Sequence, residues 1–527
     1  MARERRLVGP PGTGKTTAIK TMVQNWVDNR EYEPRDIVLT SFTRSAAAVL
    51  AGAVDIPREN ISTLHAIAYR ALGQPEIAEK GKLAKQWDEQ ARHLSWRISE
   101  ASSDIDDGLT GPDSRVGKML RDYSLARARQ VPANHPLRTS TLQFATAWEA
   151  YKHETGSMDF TDLLEYALIN FDGLPRNQPV FIIDEAQDMV PLQWALAREW
   201  GGDPDCEIFT VCGDGAQVLY SFAGADPTHF MIDLPEGQHE ILPRSYRMPR
   251  EIQDYAERYL KGRHSGTLAD GRVYEPRPGG RPGRVVNRYG VTWREPSSLI
   301  AQIAPLVEEG RSVMLLASCS YMLAPTLREL RLAGLPFHNP YRLSNGAWNP
   351  LGAVARAQVD GSTSTVDRVL AFLGGSLLLW PEMVRAEHFV MRGAKKRIEE
   401  TPELDVFFEW AGLPMIEAWK ARDLRWLSGS VLPQYQRPLD YAAQIIARRG
   451  KDGLLDVPLV IPSTIHAAKG GEADVVVIFP DVSGAAMQEM WSREGRDAAT
   501  RLGYVALTRA REEVWLTEPL SQRASLW

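Results

Sequence analysis

The run Gly9-Pro10-Pro11-Gly12-Thr13-Gly14-Lys15-Thr16 constrains this chain more than any other feature. It spells G-x-x-x-x-G-K-[ST] between the apolar pair Leu7-Val8 and a helical stretch over 16–27. Glycines so placed let backbone N–H groups wrap a phosphate, and the start of the next helix adds partial positive charge. The spacing predicts that Lys15 reaches the β- and γ-phosphates of a nucleoside triphosphate and that Thr16 holds Mg²⁺, with Thr17 completing the phosphate-binding run. A loop of this kind sits where a strand ends and a helix begins, which points to an α/β fold.

The rest of the chain continues that alternation. Strands are expected at 36–41, 179–184, 207–213, 311–318 and 473–480, and helices at 44 to about 51 and at 323–334. Strands alternating with helices imply a parallel sheet covered on both faces. Residues from about 75 to 157 lose the β-branched runs and read as helices broken near Gly111-Pro112 and between Pro132 and Pro136. Residues from about 345 to 455 are again mostly helical and carry Trp380, Trp410, Trp419 and Trp426, expected to be core. The Pro/Gly/Arg-rich stretch 272–284 reads as a linker. At 527 residues the chain has room for several domains, and 44% hydrophobic with 24% charged residues excludes wholesale disorder. The net charge of −6 does not single out nucleic acid as a partner.

Ile182-Ile183-Asp184-Glu185 ends an apolar run in two acids. After a phosphate loop, Asp184 there completes the Mg²⁺ shell and Glu185 orients the attacking water. The three cysteines, Cys206, Cys212 and Cys319, have no CxxC spacing and suggest neither a disulfide framework nor a zinc site. No segment approaches a membrane helix, and the expected setting is reducing and cytoplasmic.

Read with the phosphate loop, Asp184-Glu185-Ala186-Gln187-Asp188 resembles motif II of superfamily 1 DNA helicases of the UvrD/Rep/PcrA type. Further segments resemble that family's motifs in family order. They are Ser41-Phe42-Thr43-Arg44, Ser62-Thr63-Leu64-His65, and the segment from Asp159 to Leu164. After these come the run from Gly213 to Tyr220 with Phe222, then Ser245-Tyr246-Arg247, the run from Thr464 to Glu472, and the run from Tyr504 to Arg511.

The resemblance implies two RecA-like P-loop NTPase cores with parallel sheets, each carrying a mainly helical insertion. The segments are core 1A over 1–75 and 158–240, insertion 1B over 76–157, core 2A over 241–344 and 456–527, and a reduced insertion 2B over 345–455. It implies that Gln217 senses the γ-phosphate or the attacking water, and that Arg247 and Arg509 act as arginine fingers from the second core. Tyr246 then stacks on adenine and Glu472 belongs to the ATP site. Phe42, Thr43, His65, Tyr220, Phe222, Thr464, His466 and Lys469 meet single-stranded DNA.

Three features depart from the family pattern. No glutamine precedes Gly9, where the family has an adenine-reading segment. Phe222 and Ala223 stand where Trp and Arg are common, and the second insertion is short. The function implied is an ATP- and Mg²⁺-dependent DNA helicase or translocase, 3′ to 5′, acting on single strands and strand–duplex junctions with replication or repair proteins. The alternatives are a strand translocase or protein-displacing motor with little unwinding, and an ATP-switched loading module.

Overall fold

Every pairing between the named strands is parallel, and the strands form two sheets. The computed structural model describes residues 4–94, 96–98, 115–131, 137–235, 237–265, 273–340, 433–450, 453 and 457–527. By internal contacts the chain divides into a first unit, Met1–Pro282 with Glu489–Thr508, and a second, Gly283–Gln488 with Arg509–Trp527.

The first unit holds β1 (Arg5–Val8), β2 (Ile37–Ser41), β3 (Ile61–Ser62), β4 (Val180–Asp184), β5 (Ile208–Gly213) and β6 (His239–Ile241), in the order β3-β2-β4-β5-β1-β6. All five residues of β2 and of β4 are buried, as expected of strands covered on both faces. Alternate residues serve opposite cores. Ile37, Leu39, Val180 and Ile182 pack with Ile19 and Val23 of α1 (Lys15–Asp28) and Leu50 of α2 (Arg44–Ala53). Val38, Phe181 and Ile183 pack instead with α3 (Leu64–Ala71), α7 (Phe160–Asn170) and α8 (Pro191–Gly202).

Three more helices, α4 (Gly81–Gln90), α5 (Arg115–Ala128) and α6 (Thr139–Thr155), build a separate aromatic core. There Trp87 meets Trp148 edge-on at 5.0 Å. This cluster is pinned to the start of α7 by buried ion pairs. Asp159 accepts from Arg127 at 2.9 Å, Lys152 at 2.8 Å and the Trp148 indole at 3.1 Å, and Lys152 also donates to Asp162 at 2.7 Å. Asp159 caps α7 in a box with Asp162, which explains why the 159–164 segment needs both acids.

The short α9 (Pro227–Phe230) and α10 (Arg250–Arg263) follow, and α10 packs against the returning helix Arg493–Leu507. That packing groups residues 241–282 and Glu489–Thr508 with the first unit by contacts, whereas the resemblance assigns them to core 2A.

The second unit holds β7 (Arg284–Arg288), β8 (Val313–Ala317), β9 (Val460–Thr464), β10 (Ala473–Ile478) and β11 (Ala510–Thr517), ordered β7-β11-β10-β8-β9. Its core joins Leu315 and Val477 to α11 (Ser297–Glu308) and α12 (Ala324–Leu332). The junction between the units, Pro282 to Gly283, falls inside the expected linker, and β7 begins at its last residue. The breaks near Gly111-Pro112 and at 132–136 lie outside the described residues, as do Trp380, Trp410, Trp419 and Trp426. Among the described residues no helix is long and apolar enough to cross a membrane.

Candidate nucleoside-triphosphate site

Parallel pairing brings the ends of β1, β2, β4 and β5 to one edge of the first sheet, with Val8 opposite Gly213 and Ser41 opposite Asp184. The phosphate loop leaves that edge from β1. Gly12 at φ 74° and Gly14 at φ 79° hold left-handed conformations, the kind of backbone from which anion-binding concavities are built. Lys15 folds back so that its ammonium donates to the Gly9 carbonyl at 3.1 Å and lies 3.9 Å from Glu185. A Cβ at position 9 would stand 1.9 Å from the Lys15 side chain, so only glycine leaves room for that path.

The loop is gripped from outside. Ser245 Oγ donates to the Pro11 carbonyl at 2.9 Å, and the Tyr246 N–H donates to the Gly12 carbonyl at 2.7 Å. The Tyr246 ring is 67% exposed and passes close to Gly14, an open aromatic face beside the loop. Arg247 lies against Gly12 and donates to the Thr508 carbonyl at 3.2 Å. By its contacts Arg247 groups with the loop in the first unit, while the resemblance assigns it to core 2A.

At the end of β4, Asp184 is buried and accepts from the Glu185 N–H at 2.9 Å. Glu185 adopts φ 55°, a strained conformation for a side chain of its size that persists because its neighbours over-determine it. Gln187 donates to the Glu185 carboxylate at 2.5 Å and accepts from the Asp214 N–H at 3.1 Å. Asp214 in turn accepts from the Ala216 N–H at 3.0 Å and from the Gln217 amide at 2.7 Å. A hydrogen-bonded chain thus runs from Glu185 through Gln187 and Asp214 to Gln217. Thr16 at the start of α1 and the buried Asp184 offer the hard oxygen donors that suit Mg²⁺, and the glycine loop suits the phosphates beside it. The donor set fits a Mg²⁺-bound triphosphate.

Three aromatics expected to meet a nucleic-acid strand come together. Phe42 and Tyr220 have ring centroids 5.0 Å apart, and Tyr220 and Phe222 6.1 Å. Phe222 is exposed, while Phe42 is partly buried against the core. His65 stands edge-on to Phe160, and the Thr43 hydroxyl caps α2 by accepting from the Ala46 N–H at 3.1 Å.

In the second unit, Thr464 ends β9 and its hydroxyl accepts from Ala467 N–H at 3.3 Å, opening the turn that carries His466 and Lys469. Glu472 and Arg509 lie instead at the opposite edge, before β10 and β11. Glu472 pairs with Arg511, and the buried Arg509 donates to the Gly471 carbonyl at 3.4 Å.

Comparison with known proteins agrees with this geometry. Residues 3–234 match the UvrD/REP helicase N-terminal domain, and residues 459–517 match the UvrD-like helicase C-terminal domain. The chain belongs to the UvrD-like family of ATP-dependent DNA helicases. It is 26% identical to the ATP-dependent DNA helicase UvrD2 of Mycobacterium tuberculosis, across 97% of this chain and 76% of that protein. It is 25% identical to the ATP-dependent DNA helicase PcrA of Leuconostoc citreum, across 46% of this chain and 35% of that protein. With the ATP-dependent DNA helicase SRS2 of Saccharomyces cerevisiae the identity is 24%, across 50% and 26% respectively.

Within this UvrD-like chain, several residues of the site carried no assigned role in the sequence. Gln187, Asp188 and Asp214 stand inside recognised motifs, so their motif membership was the available signal. Their hydrogen bonds depend on the approach of β4 to β5, which residue spacing does not encode. Ser245, which both holds Pro11 and accepts from the Met248 N–H at 3.2 Å, is the same case.

Proposed function

We propose that this chain is an ATP-driven motor on single-stranded DNA that moves 3′ to 5′ and couples hydrolysis to duplex unwinding. The observation that carries the reading is the turn after β5, where Gln217, hydrogen-bonded into the chain that reaches Glu185, lies three residues from Tyr220 of the aromatic cluster. One short segment thereby joins phosphate chemistry to a surface for bases. Stacking suits a motor that must pass any sequence, because every base has a π-face.

In this reading the loop residues and Lys15 bind the triphosphate, and Thr16 and Asp184 hold Mg²⁺, which when bound screens phosphate charge. Glu185 orients the attacking water and accepts its proton. Gln217 follows the γ-phosphate, and Arg247 opposes the charge that develops on phosphoryl transfer, a task for which a planar guanidinium is suited. Tyr246 stacks on the base. Arg509 and Glu472 contribute to hydrolysis by resemblance, as Thr43, His65, Thr464, His466 and Lys469 do to strand contact. The polarity also rests on resemblance.

The test compares ATP hydrolysis alone and with single-stranded DNA, duplex DNA and RNA. Strong stimulation by single strands, abolished in Lys15→Ala, is expected; undiminished turnover in that variant sinks the mechanism. A forked-duplex assay beside streptavidin displacement then separates an unwinding motor from a strand translocase.

A further inference from the structure

We propose that Arg501 is a positioning residue through which strand binding stimulates hydrolysis, because it ties the strand-facing turn to the body of the first unit. The inference rests on the motor reading above. Arg501 lies on the returning helix Arg493–Leu507 and is 5% exposed. Its guanidinium makes three contacts. Nε donates to the Val218 carbonyl at 3.2 Å, one Nη donates to Ser221 Oγ at 2.9 Å, and the other lies 2.9 Å from His264 Nε2.

Val218 and Ser221 bracket Leu219 and Tyr220, so Arg501 grips both ends of the segment that presents the central aromatic. The same segment is held on its other side by Asp188, whose carboxylate accepts from the Leu219 N–H at 3.0 Å. Asp188 follows Gln187 directly, and Gln187 is bonded to Glu185. The turn is therefore held between the 3-10 turn Ala186–Asp188, which follows β4, and the helix that carries Arg501.

The chemistry needs an arginine. Burying a cation is costly unless its donors are satisfied. Burial pulls the Arg501 guanidinium below its ordinary value, while Asp497 and Asp188 oppose that shift. A lysine ammonium carries the same charge but lacks the planar fork that spans a carbonyl, a hydroxyl and an imidazole at once. The imidazole is itself anchored. His264 Nδ1 is 3.9 Å from Asp497, which accepts from the Ser265 N–H at 2.8 Å, and Arg493 donates to the Ser265 carbonyl at 2.8 Å. The helix thus fastens to the end of α10 as well as to the aromatic turn.

The test uses the full chain and Arg501→Lys, Ser221→Ala and the double variant, each first checked by thermal melting. Hydrolysis is measured without DNA and at saturating oligo-dT, so that weakened strand affinity does not enter. For Arg501→Lys the expected result is unstimulated turnover and KM for ATP within about twofold of the parent, with stimulated turnover down about tenfold. Ser221→Ala loses about threefold, and the double variant loses less than the product of the two, because both remove one contact.

Stimulated turnover within twofold of the parent in folded Arg501→Lys overturns the proposal. So does an equal loss of unstimulated and stimulated rates, which marks plain structural support. If Arg501→Lys does not fold, Ser221→Ala decides alone, and an unchanged stimulation overturns the idea. A parent chain that DNA does not stimulate at all overturns the motor reading instead, and this inference falls with it.

Discussion

Gly12 and Gly14 both hold left-handed φ values, 74° and 79°, but their surroundings differ. A Cβ built on Gly12 would lie 2.5 Å from the Arg247 Cβ and 2.8 Å from Ser245 Oγ, whereas on Gly14 the nearest atom is 3.7 Å away. Gly14→Ala therefore carries only the backbone penalty, about 1–2 kcal/mol for an L-residue in that region. Gly12→Ala carries the same penalty plus overpacking of about 1–3 kcal/mol, since the Arg247 Cβ is fixed to the backbone and cannot swing aside. Calorimetric melting without nucleotide should show the difference. At roughly 2–4 °C per kcal/mol, Gly14→Ala melts several degrees below the parent and Gly12→Ala about twice as far below. Turnover should separate as well. Gly12→Ala displaces Arg247 and lowers kcat at saturating ATP and DNA by on the order of 100-fold per ångström of misplacement. Equal melting of the two variants, or a parent-like kcat in Gly12→Ala, refutes the claim that the Ser245–Arg247 segment is seated on the loop.

Tyr220→Ala, which removes the centre of the Phe42–Tyr220–Phe222 cluster, should weaken oligo-dT binding by about 1–3 kcal/mol in fluorescence anisotropy while KM for ATP stays near the parent. Gln187→Glu keeps the acceptor for the Asp214 N–H but sets a second carboxylate against Glu185, losing about 1.5–3 kcal/mol of charge-assisted bonding. Its kcat should fall at neutral pH and recover in part as pH drops and one proton is shared; a pH-independent loss counts against the relay. Glu513 in the second unit is buried, which alone would raise its carboxyl. Hydrogen bonds from Trp515, Arg284 and Arg311 instead hold it at about 2. Its folded value lies below the unfolded one, so its stabilisation is present above about 4.5 and is lost as pH falls toward 2. Glu513→Gln should cost about 2 kcal/mol at pH 7 and flatten the acid limb of the melting curve; an unchanged acid limb opposes this.

The buried parallel strands were legible in the sequence because most of their residues are apolar and run together. The expected 179–184 and 473–480 are realised as Val180–Asp184 and Ala473–Ile478. The strands at 207–213 and 311–318 became Ile208–Gly213 and Val313–Ala317, trimmed at polar ends. At 36, Asp36 belongs to a 3-10 turn with Pro34 that delivers the chain into β2. Less legible were β6, which is His239–Ile241 at a sheet edge with two exposed residues, and β7, whose Arg-Val-Val-Asn-Arg sequence lies at the edge of the second sheet and offered little apolar pattern. In the proposed site, Lys15, Asp184 and Glu185 stand out by residue type and spacing, and Gln217 only by its place in a segment that resembles a family motif. What joins them was not visible, because Gln187 reaches Asp214 across a strand pairing and Arg501 reaches Val218 across 283 residues of chain.

Arg247 ties several parts of the first unit together. The Arg247 N–H donates to Ser245 Oγ at 3.3 Å, the same hydroxyl holds Pro11, and the side chain starts against Gly12. Its far end meets the Thr508 carbonyl at the close of the returning helix, which also carries Arg501. One helix thus touches both the loop-side arginine and the aromatic turn, from its last residues and from its middle. Glu185, held at φ 55° by Gln187, completes the circuit from the other side. In the proposed motor, the loop, the acid at the end of β4 and the turn that carries Gln217 are thereby linked by side-chain contacts within the first unit. In that reading, a change at Glu185 has a hydrogen-bonded route to Gln217, three residues from Tyr220.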